Sequence, residues 1–106
     1  MVKLSDVEST VGETTLLVTI MHANSETGTV QPVRRISDMA HGAGALVHTD
    51  AAQTVGKIPV SVRQEKVDLL SVAGHKLYAP QGIGALYVRS GTAVAPVVLG
   101  AGHEQG

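Results

Sequence analysis

Three short runs of apolar, β-branched residues set the limits on what this chain can fold into. Residues 15–22 (Thr-Leu-Leu-Val-Thr-Ile-Met-His), 45–49 (Ala-Leu-Val-His-Thr) and 67–72 (Val-Asp-Leu-Leu-Ser-Val) each read as a buried strand. Each runs into polar residues: Asn24, Ser25 and Glu26 after the first, Asp50 and Gln53 after the second, and Gly74-His75-Lys76 after the third. Pro32 opens a helix between the first two, where its missing N–H costs nothing. Val33, Ile36, Met39 and Ala40 form the apolar stripe of that helix, Arg34, Arg35 and Asp38 its wet face, and Gly42 and Gly44 its stop. Residues 5–11 predict a short helix with Ser5 or Asp6 as its cap, and residues 51–55 a short helix or turn closed by Gly56. Residues 60–65 read as a connector, residues 82–89 as a fourth strand, and the tail from Gly91 as irregular and glycine-rich at its end.

Strand, helix, strand, short helix, strand is an α/β pattern with parallel pairing. The expectation is one domain over residues 1–106, a mostly parallel sheet with flanking helices. Tyr78 and Tyr87 are its only aromatic residues. The core must therefore come from Val, Leu, Ile and Ala, which suits strands buried on both faces. Ligands in such sheets sit beyond the carboxyl ends of the strands. All three polar clusters fall there.

Eight Lys and Arg against nine Asp and Glu give a net charge of −1, which offers no electrostatic case for nucleic acid or an anionic membrane. No run is long and apolar enough to span a bilayer, and the first residues lack the apolar stretch of a signal peptide, so the expected location is the cytoplasm. There are no cysteines, which excludes disulfides, thiolate metal sites and a cysteine nucleophile within these residues.

Asp50, ending an apolar strand, is either the cap of the turn that follows or the partner of a cation, such as a protonated pyridine nitrogen. Gln53 lies three residues on and shares its helical face, as a solvated side chain or as a donor beside that ring. Lys76 is either a solvated loop lysine or an amine poised to attack a carbonyl. His75 beside it is an ordinary loop residue or a phosphate contact. His22, His48, His75 and His103 are spaced too irregularly to support a metal centre.

Taken together, Met21-His22-Ala23-Asn24-Ser25-Glu26-Thr27-Gly28 with Val30-Gln31-Pro32, Val47-His48-Thr49-Asp50-Ala51-Ala52-Gln53, and Gly74-His75-Lys76-Leu77-Tyr78-Ala79-Pro80 running into Gly82–Val88 resemble one enzyme group. This is the class V aminotransferase group of enzymes dependent on pyridoxal 5′-phosphate (PLP), in particular the cysteine desulfurases and selenocysteine lyases. Gly102–Gly106 looks like the start of a further glycine-rich motif of the group. The resemblance covers nearly the whole chain. It implies the central part of a type-I PLP-enzyme large domain, with the fourth strand antiparallel. It also implies that Lys76 is the Schiff-base lysine, that Asp50 pairs with the ring nitrogen, that Gln53 meets the phenolate oxygen and that His75 sits at the phosphate. Asn24 and Ser25 would lie on the loop beside ring and substrate. Ser25 stands where many members carry a second Asn, and Ala73 where many carry a phosphate-binding Ser.

The resemblance further implies a cysteine-like amino acid as substrate, a homo-oligomer, and a parent reaction that takes sulfur from cysteine and leaves alanine. The group's ring-stacking histidine, sulfur-accepting cysteine and carboxylate-binding arginine have no counterpart here, so the chain reads as a piece of such an enzyme, inactive alone. The alternatives are a non-catalytic self-associating module from a truncated gene, or another class V aminotransferase or lyase.

Overall fold

A computed structural model describes residues 1–95 and 97. Helix α1 (Leu4–Thr10) is followed by strand β1 (Leu17–Met21), helix α2 (Val33–Gly42), strand β2 (Leu46–Asp50), helix α3 (Val62–Glu65), strand β3 (Leu69–Ala73), a 3-10 turn (Gly74–Leu77) and strand β4 (Gly84–Val88). The four strands form one sheet in the order β1-β2-β3-β4. β1 pairs with β2 and β2 with β3 in parallel, and β4 returns antiparallel to β3. The fold is the mostly parallel α/β sheet with helices that the strand pattern and the resemblance imply.

Several elements differ from expectation in detail. Lys3, not Ser5 or Asp6, caps α1, and no side chain bonds there. Pro32 sits at the N-cap of α2, one place before the first helical residue. Met39 is only half-buried, and Ser37 takes its place in the buried stripe with Val33, Ile36 and Ala40. The connector holds α3, whose first turn is fixed by the Ser61 hydroxyl accepting from the Gln64 N–H. Of the two alternatives expected after Asp50, short helix or turn, the structure has the turn. The glycine-rich end, Gly100 to Gly106, lies outside the described residues.

The core is one-sided. Val33 and Ala40 of α2 pack with Ala45, Val47, Ala51, Val67 and Leu70, and Val18, Ile20, Val62, Val72 and Tyr87 close around them. These strand residues alternate with Leu17, Thr19 and Met21 on β1, His48 and Asp50 on β2, and Leu86 and Val88 on β4, which point to the other face. There Leu17, Met21, Leu86 and Val88 remain exposed. Among the described residues, the strands are thus covered on one face, not both. Strand order explains it: β1, β2 and β3 advance in one direction, and right-handed crossovers then set α2 and α3 on the same side.

On the open face, Thr19 Oγ1, His48 and Ser71 Oγ form a hydrogen-bonded row across three strands, Thr19 to Nδ1 at 2.6 Å and Ser71 to Nε2 at 3.1 Å. At the amino end of the sheet, buried Asp68 accepts at Oδ2 from His41 Nε2 and from the Val47 N–H, both at 2.8 Å. Its Oδ1 lies 3.2 Å from Arg89 Nη1, and Arg89 also donates to the Val67 carbonyl. Burial alone would raise the Asp68 carboxyl. The His41 and Val47 hydrogen bonds and the His41 and Arg89 charges outweigh it and hold it below its ordinary value.

The Ser37 hydroxyl is buried with no hydrogen-bond partner among the described residues. Ser37→Ala removes this unsatisfied group and improves helix propensity, so it is expected to raise stability by about 1 kcal/mol. A urea denaturation midpoint above that of the parent chain checks it.

Candidate cofactor site

Parallel pairing places the carboxyl ends of β1, β2 and β3 on one edge, with Met21 opposite Asp50 and Asp50 opposite Ser71. At that edge lies a cavity of about 190 Å³, lined by Met21, Ala23, Asn24, Ser25, Asp50, Ala52 and Gln53. Four of the six site residues expected from sequence therefore converge on one space. The other two do not line it: His75 and Lys76 are exposed on the 3-10 turn at the end of the neighbouring strand β3.

Asp50 combines both readings of its sequence position. Its Oδ1 accepts from the Ala52 N–H at 2.9 Å, capping the turn. Its second oxygen takes no hydrogen bond among the described residues, so it is open to a donor from the cavity. Gln53 is half-buried, and its Oε1 accepts from Lys57 Nζ at 3.3 Å, which leaves its amide N–H groups to donate. Asn24 is committed differently. Its Oδ1 accepts from the N–H groups of Glu26 and Thr27 and from the Thr27 hydroxyl, shaping the 24–27 loop. Ser25 is held at the cavity wall by that loop.

The turn bearing Lys76 is anchored to the same structure. The Gly74 N–H donates to the Ile83 carbonyl, and the Ala79 N–H to the Gly74 carbonyl. A side chain on Gly74 would meet the Ile83 carbonyl oxygen at 2.6 Å, so only glycine fits. Gly56, at φ +76, has Leu77 Cδ2 so close that a Cβ there would lie 2.6 Å from it. Leu77 therefore seats the Lys76 turn on the turn that carries Gln53.

Two buried residues at this edge escaped the sequence reading. His22 is buried, and its Nδ1 lies 3.0 Å from Thr54 Oγ1. Thr54 in turn donates to the Ala51 carbonyl. Their signal was weak: His22 was weighed only as a metal ligand, and Thr54 sat among small turn residues.

An open α/β sheet with a polar cavity beyond the carboxyl ends of its parallel strands is the layout of a ligand-binding α/β domain. The family model for aminotransferase class-V matches residues 1–105, and the chain belongs to that family. A cysteine desulfurase of Gluconacetobacter diazotrophicus is 54% identical over 92 residues, covering 87% of this chain and 23% of that protein. The solved structure of a NifS-like protein superposes with a TM-score of 0.91 at 44% identity, over 99% of this chain and 29% of that one. A structure of SspA in complex with cysteine gives a TM-score of 0.88 at 41% identity, over 96% of this chain and 30% of that one. The chain thus spans about a quarter of the length of the relatives it matches.

Proposed function

We propose that this chain is the PLP-holding part of a cysteine desulfurase-type enzyme acting on cysteine or a close analogue. The observation that carries it is the meeting of Asn24, Ser25, Asp50 and Gln53 in one cavity, with one Asp50 oxygen open to a donor. That donor set fits a protonated pyridine ring with an adjacent oxygen. Asp50 would hold the proton at the ring nitrogen and Gln53 would donate to the neighbouring oxygen. His75 would meet the phosphate, and Ser25 and Asn24 would border the ring. Lys76 Nζ would bond covalently to the cofactor and serve as the local proton acceptor. When bound, PLP supplies an electron sink for bonds at the amino-acid α-carbon. The relatives called cysteine desulfurases, and the neighbour solved with cysteine, support this substrate class.

With no cysteine in the sequence, sulfur transfer needs a nucleophile from elsewhere, and the chain alone is inactive in this reading. The reading places the parent enzyme in the cytoplasm as a homo-oligomer. No helix among the described residues is long and apolar enough to cross a membrane. Incubation with PLP should give the yellow absorbance of a lysine-bound cofactor, retained after dialysis and abolished by Lys76→Ala. Identical spectra for the two proteins would sink the assignment.

A second reading has its own support: the exposed Leu17, Met21, Leu86 and Val88 on the open sheet face suit a non-catalytic module that self-associates. Concentration-dependent mass without PLP uptake would favour it.

A further inference from the structure

We infer that His22 is a positioning residue: a single buried side chain that locks the Asp50 and Gln53 wall of the cavity to the Asn24 and Ser25 wall. The inference rests on the cofactor reading above and deepens it. Nothing in that reading uses His22, which touches none of the open cavity.

His22 is 4% exposed and makes three anchoring contacts, each to a different segment. Its backbone N–H donates to the Asp50 carbonyl at 2.8 Å, extending the β1–β2 ladder one step beyond Met21. Its own carbonyl accepts from the Gln31 N–H at 2.9 Å, which brings the chain back after the 24–27 loop. Its ring Nδ1 meets Thr54 Oγ1 at 3.0 Å, one residue past Gln53. The Thr54 hydroxyl also lies 3.2 Å from the Ala51 carbonyl, which already accepts from the Thr54 and Val55 N–H groups. In either ring tautomer one proton lies between Nδ1 and Oγ1, so the contact is a hydrogen bond in both. The result is a line of contacts within the protein from the His22 ring through the Thr54 hydroxyl to the Ala51 carbonyl.

The backbone contacts survive any substitution at residue 22. The ring contact does not, and among the side-chain hydrogen bonds of the described residues it alone ties the β1 end to the turn bearing Gln53. The turn is otherwise held by short-range bonds, from the N–H groups of Thr54 and Val55 to the Ala51 carbonyl and of Lys57 and Ile58 to that of Thr54, by the Ala51 N–H donating to the Ser71 carbonyl on β3, and by Leu77 against Gly56. These contacts fix its shape and its seat on β3 and the Lys76 turn, but none of them reaches the Asn24 loop. A catalytic or binding site needs both walls fixed to within about 0.5 Å, and buried, fully partnered hydrogen bonds supply that precision.

The test compares His22→Leu, His22→Asn and Thr54→Val with the parent chain. Leu fills the space without a donor. Asn places an amide donor near the position of Nδ1. Val keeps the shape of Thr54 and removes its hydroxyl. Two measurements are made on each protein: amide hydrogen exchange by NMR, and the PLP dissociation constant from the absorbance titration.

Exchange at Ala52, Thr54 and Val55 should accelerate roughly tenfold in His22→Leu and Thr54→Val, while Val47 and Leu70 keep their protection. PLP affinity should fall by about the same factor, and His22→Asn should restore most of both. A uniform loss of protection across the sheet would make His22 ordinary core filling and overturn the inference. So would a loosened turn with unchanged PLP affinity. A parent chain that takes up no PLP sinks the cofactor reading, and the exchange arm then decides the clamp alone: local loosening upholds it, uniform loosening or none overturns it.

Discussion

Asp68→Ala is expected to remove about 3–5 kcal/mol of folding stability, the size seen when one partner of a buried charged cluster is deleted. The Asp68 carboxylate is the common acceptor for His41, the Val47 N–H and Arg89, and so joins the C-terminal turn of α2, the start of β2 and the exit from β4. Alanine strands a buried N–H and two cationic or polar side chains at once. A domain of this size holds about 5–15 kcal/mol in all. Thermal unfolding followed by circular dichroism should show a midpoint lower by roughly 10–20 °C. Asp38, nearly half exposed and paired with Arg34 and Lys66, is the contrast: Asp38→Ala should move the midpoint little.

The same carboxylate predicts the acid limb of the stability curve. The folded Asp68 titrates below its ordinary value. As pH falls, the unfolded chain takes up its proton first, near pH ~3.9. The stabilisation is therefore complete at neutral pH and is lost as pH drops through the unfolded and then the folded pKa. Asp68→Asn should flatten this part of the curve, while a slope as steep as in the parent chain would assign acid unfolding to other carboxylates.

Gly74→Ala is expected to cost about 1–3 kcal/mol and to displace the Lys76 turn. The new methyl would lie 2.6 Å from the Ile83 carbonyl oxygen, which is backbone and cannot swing aside as a side chain can. The hydrogen bond from the Gly74 N–H to that same carbonyl, 2.9 Å long, must lengthen as the chains part. Gly42→Ala provides the control, because a Cβ there meets nothing within 4 Å. Melting should separate the two variants, and Gly74→Ala should lose PLP absorbance in addition. A Gly74→Ala protein with parent-like melting and PLP uptake would show that the β3–β4 junction yields more readily than its geometry indicates.

Much of the architecture was legible in the sequence because periodicity reports burial directly. The strands expected over 15–22 and 82–89 contain observed strands, those over 45–49 and 67–72 overlap theirs with ends off by one or two residues, and the α2 stripe is right at three of four positions. Ser37 takes the place of Met39 in the buried stripe although its hydroxyl finds no partner among the described residues, which polarity alone does not foresee. The one-sided core was invisible for a different reason. Apolar content predicts that a surface seeks cover, but strand order and crossover hand decide which side receives it. At the carboxyl edge, strand-end position singled out Asn24, Ser25, Asp50 and Gln53, which line the cavity, and Glu26, which does not. It could not find His22, whose part depends on a threonine 32 positions away. Nor could it show that Asp50 both caps its own turn and keeps an oxygen for the cavity.

The Thr19–His48–Ser71 row sets a condition on whatever layer meets the open sheet face. Read from either end, donors and acceptors match along the row, and only one hydroxyl proton is left over, on Thr19 or on Ser71 according to the imidazole tautomer. The polar seam thus carries its own solvation. A covering surface owes it at most one acceptor and can otherwise be aliphatic along the row, so this seam can be dried out without leaving a line of orphaned polar groups beneath the covering layer.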